Sequence, residues 1–184
     1  RDDVTRATDF KGVATNYNRD ALGNALLDST PDAGTRSTSY DALGLPSRIV
    51  NALGQAAQIT RDAAGRPINI TRADGKTTTF VYDLTGAAYN TDGLHGSKGL
   101  LSQIRDPEVT TIYQRDGLGR IARIYTYLPN ANTRSIGTTY VASGPGAGEV
   151  DVLTYGNGGA LKHIYNTAGQ VVQLNWNNTP LVSN

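Results

Sequence analysis

The chain has 184 residues, of which 38% are hydrophobic and 18% charged, and its formal net charge is +1. This balanced charge excludes a field that would attract nucleic acid or an anionic membrane surface, and no apolar run reaches the roughly 20 residues of a membrane-spanning helix. The absence of Cys excludes disulfides and thiolate metal sites. Because the chain also lacks Met and begins at Arg1, we expect an internal fragment of a longer protein.

A turn signature repeats along the first half of the chain. Asp-x-x-Gly blocks begin at Asp20, Asp41, Asp62 and Asp83, each 21 residues after the one before. An Asp or Asn that opens a turn accepts a hydrogen bond from the backbone two residues on, and a later Gly takes the left-handed conformation that closes a hairpin. Related blocks lie halfway between, at Asp32-Ala-Gly34, Asn51-Ala-Leu-Gly54 and Ala73-Asp74-Gly75.

The residues between these turns alternate as strands do. Lys76–Tyr82 and Arg66–Thr71 each divide into two alternating sets, and Pro67 stands at a strand start, where proline is tolerated. The spaces are too short for helices, which usually need about 10 residues or more. The sequence therefore predicts an all-β fold of antiparallel β-hairpin repeats.

The pattern becomes irregular after Gly86. Residues 90–99 are polar and Gly-rich and predict a surface loop, and the next clear block is Asp116-Gly-Leu-Gly119. A second irregular stretch is Ser143–Gly148, after which turn signals return at Tyr155–Gly159 and Tyr165–Gly169. We predict one continuous array over residues 1–184, with insertions near 87–111 and 142–149.

Catalytic and metal-binding patterns are weak. His95 and His163 are distant in sequence and lack the further ligands that a zinc site needs. Ser143 lacks the flanking glycines of a nucleophile elbow, and the glycines from Gly144 to Gly148 lead into a strand pattern rather than the helix of a dinucleotide-binding loop. We predict no catalytic, cofactor-binding or metal-binding residue, no cofactor, and a protein that is not an enzyme.

The repeated carboxylates have a structural explanation. Each turn Asp lacks a second oxygen ligand at a fixed offset, so turn capping is favoured over calcium binding. Arginines flank many of the turns, and we expect them to pair with carboxylates of neighbouring hairpins, in pairs that contribute little stability. These arginines are Arg19, Arg61, Arg66, Arg115 and Arg120.

Several of these blocks resemble the tyrosine–aspartate repeats of the Rhs/YD family. The resemblance covers roughly residues 17–86 and 112–174 and rests on Tyr40-Asp41-Ala-Leu-Gly44, Tyr82-Asp83-Leu-Thr-Gly86, Tyr165-Asn166-Thr-Ala-Gly169 and Asp62-Ala-Ala-Gly65-Arg66. It implies a spiralling sheet that forms part of a hollow β-shell. In Rhs polymorphic toxins and the C components of insecticidal toxin complexes that shell encloses a cytotoxic C-terminal segment, whereas in teneurins a similar barrel serves adhesion.

Some positions depart from the family pattern. Arg replaces Tyr before Asp20, Asp62 and Asp116, and Asn replaces Asp at Asn51 and Asn166. The family's terminal Asp-Pro context for self-cleavage is missing, since Asp106-Pro107 is a lone dipeptide. We therefore expect neither a cleavage site nor a toxin domain in this chain.

The resemblance leads to one main functional expectation and two alternatives. The main one is a shell segment of a bacterial polymorphic toxin, secreted or delivered by a secretion system. Its partners would be the rest of its own shell, an enclosed C-terminal toxin segment and proteins of the delivery machine. The alternatives are a cell-surface adhesion or glycan-binding module that displays loops such as residues 90–99, and an autoproteolytic segment.

Overall fold

The computed structural model describes residues 4–89, 97–129 and 132–183. They form β-strands joined by turns, without a helix, so the all-β prediction is confirmed and no helix long and apolar enough to cross a membrane occurs in these ranges. The chain divides into two compact units, Arg1–Thr79 and Phe80–Asn184. The predicted loop at residues 90–99 lies mostly outside the described residues, and so does His95.

The first unit is a series of antiparallel strands, each paired with the next in the chain. Strand β8 contains the boundary between the units, and its residues 77–79 pair with β7. The strands are β1 (Arg6–Thr8), β2 (Ala14–Arg19), β3 (Ala25–Thr30), β4 (Gly34–Tyr40), β5 (Pro46–Val50), β6 (Ala56–Arg61), β7 (Pro67–Thr71) and β8 (Thr77–Tyr82).

The second unit continues the same antiparallel pairing in chain order. Strand β9 falls within the region where we predict the first insertion, and β13 begins directly after the second. The strands are β9 (Leu101–Arg105), β10 (Thr110–Arg115), β11 (Ile121–Tyr127), β12 (Arg134–Tyr140), β13 (Val150–Tyr155), β14 (Ala160–Tyr165), β15 (Val171–Trp176) and β16 (Thr179–Ser183).

The hairpins carry a bulge next to their turns, as the Asp-x-x-Gly pattern predicts. The register shifts at Asn18/Arg19, Ser39/Tyr40 and Thr60/Arg61, each immediately before a turn that opens with Asp. The closing glycines of these turns have φ values of 73° to 88°, in the left-handed region. This is the three-residue hairpin loop with a glycine bulge.

Turns alternate between two ends of the strands within each unit. We call the end with turns 20–24, 41–45 and 62–66 the Asp edge of the first unit. The Asp edge of the second unit holds the connections 83–100, 116–120, 141–149 and 166–170. The other end of the strands is called the opposite edge.

The fold has no apolar core among the described residues. No apolar side chain there is buried, whereas Thr38, Ser97, Ser102 and Gln103 are. Most strand residues have intermediate exposure on both faces. The fold must therefore be held largely by its hydrogen-bonded ladders and by contacts between turns, each of which contributes about 1 kcal/mol or less.

Candidate functional site

Most turns of the Asp edge share one hydrogen-bond pattern. Asp41 Oδ1 accepts the Leu43 and Leu45 N–H groups at 2.9 and 3.0 Å, and the Gly44 N–H donates to the Asp41 carbonyl at 3.0 Å. The Asp41 N–H donates in return to the Leu45 carbonyl at 2.8 Å. The same pattern occurs around Asp20, Asp62, Asp116 and Asn166, and at Asn51 on the opposite edge.

A further turn of this kind, not predicted from the sequence, lies at Asp9-Phe-Lys-Gly12. Asp9 Oδ1 accepts the Lys11 and Val13 N–H groups at 2.8 and 2.9 Å, and Gly12 has a φ of 83°. Gly12 stands 11 residues before Gly23. The glycine spacing that gave the other turns could therefore have found this one.

Electrostatics favour the ionised form of three turn carboxylates. The hydrogen bond from the Asn24 side chain lowers the pKa of Asp20, and that from the Arg66 side chain lowers the pKa of Asp62. At Asp116 burial raises the pKa, but the hydrogen bonds from Arg120 and the turn N–H groups outweigh it, so the pKa is lowered. These carboxylates are thus acceptors in turns, with their oxygens already occupied.

The turn at Asp83 is closed by different residues from those predicted. The Asp83 N–H donates to the Leu100 carbonyl at 3.2 Å, and Asp83 Oδ1 accepts the Gly99 N–H at 2.5 Å. Gly99, with a φ of 78°, thus takes the closing place that the sequence pattern assigns to Gly86. The segment between Asp83 and Gly99 is an insertion within the turn itself. Its Leu84 N–H donates to the buried Ser102 hydroxyl at 3.1 Å.

The residue before most of the Asp-edge turns links that turn to the preceding one. The Tyr40 hydroxyl donates to the Ala25 carbonyl at 2.9 Å, and Arg61 Nη2 donates to the Pro46 carbonyl at 3.1 Å. In the second unit the corresponding bonds are Arg115–Leu101, Tyr140–Ile121 and Tyr165–Val150, with lengths of 2.6 to 3.0 Å. Tyr and Arg are both long side chains with a terminal donor, which explains why Arg can replace Tyr before Asp62 and Asp116.

The flanking arginines contact both their own turn and the preceding one. Arg66 and Arg120 pair with the carboxylate of their own turn, at 2.7 Å. Arg61 does approach the preceding turn, since its Nε lies 3.7 Å from Asp41 Oδ2. Arg19 Nη1 donates to the carbonyl of its own closing glycine, Gly23, at 3.1 Å.

The glycines of the second irregular stretch allow a loop to pack on a tyrosine ring. A Cβ at Gly146 would lie 2.6 Å from Tyr165 Cγ, so only glycine permits the loop to approach this closely. Val141 and Glu149 close the loop through an N–H···O bond of 2.9 Å. Burial and the carboxylates of Glu149 and Asp151 raise the pKa of Tyr165. The loop therefore covers the tyrosine that links two turns.

The other described residues considered for catalysis or metal binding are His163 and Ser143. His163 lies in β14, and its Nδ1 is buried without a hydrogen-bond partner in the described residues. Across those residues no group of three or more His, Asp or Glu side chains is arranged to hold a metal ion. Ser143 lies in the exposed part of the 141–149 loop.

The fold and the Asp edge together define an antiparallel hairpin-repeat scaffold. Its described residues are held by side-chain caps and by hydrogen bonds between turns, since no apolar side chain among them is buried. The RHS Repeat family model matches residues 61–87, a stretch that contains the Asp62 turn and the Asp83 repeat position. The resemblance to the Rhs/YD family is confirmed over this stretch. A comparison with curated proteins finds no sequence match.

Solved structures of similar fold come from toxin complexes. The chain is similar to a structure of TcdB2-TccC3-TEV, with a TM-score of 0.70, 17% identity, and coverage of 91% of this chain and 9% of that one. It is also similar to the Photorhabdus luminescens Tc holotoxin pore with a TccC3 mutation (TM-score 0.69, 16% identity, 96% and 10% covered) and to TcdB2-TccC3 (0.68, 15%, 96% and 12%). The chain thus corresponds to about a tenth of the length of these proteins.

Proposed function

We propose that the chain is a wall segment of a toxin shell that encloses a C-terminal toxin cargo. The observation that carries this proposal is the similarity of fold to the TcdB2-TccC3 structures over nine-tenths of the chain. In this proposal the whole chain is one continuous stretch of repeats within a longer protein. That protein is delivered outside the producing cell, and its shell excludes proteases and partners from the cargo.

The solvent exposure of the strand residues supports this structural role. Most strand residues in both units have intermediate exposure, and no apolar side chain of the described residues is buried. A sheet of this kind can form a thin wall with solvent on either face, whereas a sandwich needs one apolar face to bury. The role needs no reacting group, since a wall confines its cargo by hydrogen-bonded strands.

Limited proteolysis of the longer parent protein tests the proposal. We expect its C-terminal segment to survive a protease concentration that digests the same segment expressed alone. Two variants of the parent, Asp116→Asn and Asp116→Ala, distinguish protection of the segment by the shell from resistance of the segment itself to the protease. The Asn variant keeps the turn cap and should protect as the parent does, whereas the Ala variant should release the segment faster. Equal digestion of the segment within the parent and alone would refute enclosure.

A further inference from the structure

An open cleft lies on the opposite edge of the second unit, away from the turns of the Asp edge. Its volume is about 430 Å³. Three short pieces of chain form it: the start of β12, the turn between β13 and β14, and the end of β15. The lining side chains that matter here are Arg134, Ser135, Ile136, Tyr155, Asn157 and Trp176.

The floor of the cleft is a fixed aromatic pair. The rings of Tyr155 and Trp176 lie 5.5 Å apart between centroids, at an interplanar angle of 49°. A Cβ at Gly159 would lie 2.5 Å from the Trp176 ring, although Gly159 lacks the positive φ that makes glycine necessary in the nearby turn. Glycine is therefore required at this position by the ring, which packs directly on the backbone. The chain thus holds its single Trp in place at the cleft.

Two hydrogen-bond donors border this aromatic floor. Arg134 is exposed and forms no hydrogen bond or ion pair with any other described residue, and it is the one cation among the described residues that line the cleft. The Asn157 Oδ1 accepts the Gly159 N–H at 3.0 Å, which fixes the side chain and leaves its NH₂ group available within the described structure. No carboxylate lines the cleft to neutralise Arg134.

The cleft continues beyond the aromatic pair. A neighbouring depression of about 410 Å³ shares Arg134, Ser135 and Ile136 with it and extends over Ile124 and Leu128. Arg134 thus stands between two adjoining concave surfaces. An elongated ligand can occupy both with its anionic group at the guanidinium, whereas a monosaccharide would fill only part of the space.

We propose that this groove binds an acidic oligosaccharide, a short chain of sugars that includes a uronic acid. The apolar C–H face of a pyranose ring stacks on an aromatic side chain, and its hydroxyls need a small number of placed polar groups, which is the composition of this cleft. The planar guanidinium of Arg134 matches a carboxylate with two parallel hydrogen bonds. A nucleic acid would require several cations along its phosphates, and this groove supplies one.

Tryptophan fluorescence of the whole chain tests the proposal, because Trp176 is the single Trp. We titrate with a hyaluronan tetrasaccharide, which carries glucuronate carboxylates, and with fully N-acetylated chitotetraose, a neutral tetrasaccharide. The expected result is a saturable change in Trp176 emission with the acidic sugar. The affinity for the neutral sugar should be at least about tenfold weaker, because the free energy of one charged hydrogen bond is lost. The absence of a saturable change with the acidic sugar, or equal affinity for both, would overturn the proposal.

Substitutions at Arg134 provide the second arm. Arg134→Gln should weaken binding of the acidic tetrasaccharide by about tenfold or more. Arg134→Lys should have an affinity between those of the parent and Arg134→Gln, because it keeps the charge but loses the two parallel donors of the guanidinium. Arg36→Gln is the matched control, since Arg36 is also exposed and its loss changes the net charge equally. Unchanged affinity in Arg134→Gln, or an equal loss in Arg36→Gln, would contradict a specific site.

Discussion

Replacing Asp116 measures how much a turn cap contributes to the stability of a sheet whose described residues bury no apolar side chain. Its Oδ1 accepts the Leu118 and Arg120 N–H groups at 3.0 and 2.9 Å, and its Oδ2 pairs with the Arg120 guanidinium at 2.7 Å. Asp116→Ala removes both interactions. A lost cap costs about 1 kcal/mol, and a partly exposed ion pair adds about 0.5 kcal/mol. We therefore expect the free energy of unfolding to fall by about 1.5 kcal/mol.

Asp116→Asn separates these two contributions. Asn166 caps its own turn through Oδ1 with the same two N–H contacts, at 3.0 Å each, so Asn should retain the cap and lose only the ion pair. The expected loss is about 0.5 kcal/mol. Equilibrium urea unfolding, followed by the fluorescence of Trp176 in the same unit, measures both variants. Equal destabilisation by Asn and Ala would refute the capping account, as would an Ala variant as stable as the parent.

Three further predictions concern the linked turns and their charges. Tyr165→Phe removes the hydroxyl that donates to the Val150 carbonyl at 2.6 Å and should lower the free energy of unfolding in urea by about 1 kcal/mol. Tyr127→Phe, at an exposed ring, should change it by less than about 0.5 kcal/mol. Similar losses in the two variants would contradict a stabilising bond between Tyr165 and Val150. In Gly146→Ala the new methyl group clashes with the Tyr165 ring and the backbone φ is 76°, whereas in Gly144→Ala the φ of 82° is unfavourable but the surrounding space is open. Gly146→Ala should therefore lower the thermal unfolding temperature more. Equal decreases would exclude packing of the loop on the ring. Folding lowers the pKa of Asp116 from its ordinary 3.8, so its contribution to stability is fully present above that value and is lost as pH falls through the lower folded-state pKa. The urea midpoint should therefore fall less steeply with decreasing pH in Asp116→Asn than in the parent. An unchanged pH dependence would count against an ionised cap.

The turns were predictable from sequence because their chemistry is local. Asp41 and Gly44 are three residues apart, and the two N–H groups that Asp41 caps lie within four residues of it. A short pattern therefore carries the whole turn, and its regular spacing fixes the strands between. The turn at Trp176–Thr179 was missed because its left-handed residues are Asn177 and Asn178, with φ values of 48° and 69°, and it lacks the Asp-x-x-Gly signature.

The contacts between turns were beyond the sequence pattern because they join distant residues. Tyr40 and Ala25 are 15 residues apart, and no local rule shows that a hydroxyl at one turn reaches the carbonyl after the preceding turn. The closing of the Asp83 turn by Gly99 was hidden for the same reason, since an insertion separates them. The packing of Gly146 on Tyr165 likewise depends on how the 141–149 loop folds back over the next turn.

The most direct test of the shell account is a cryo-electron microscopy structure of the longer parent protein. We expect the strands of this chain to form part of a continuous wall, with density for the C-terminal segment confined on one side of it. An open array of hairpins, with the C-terminal segment outside and accessible to solvent, would show that the chain is not part of an enclosing shell.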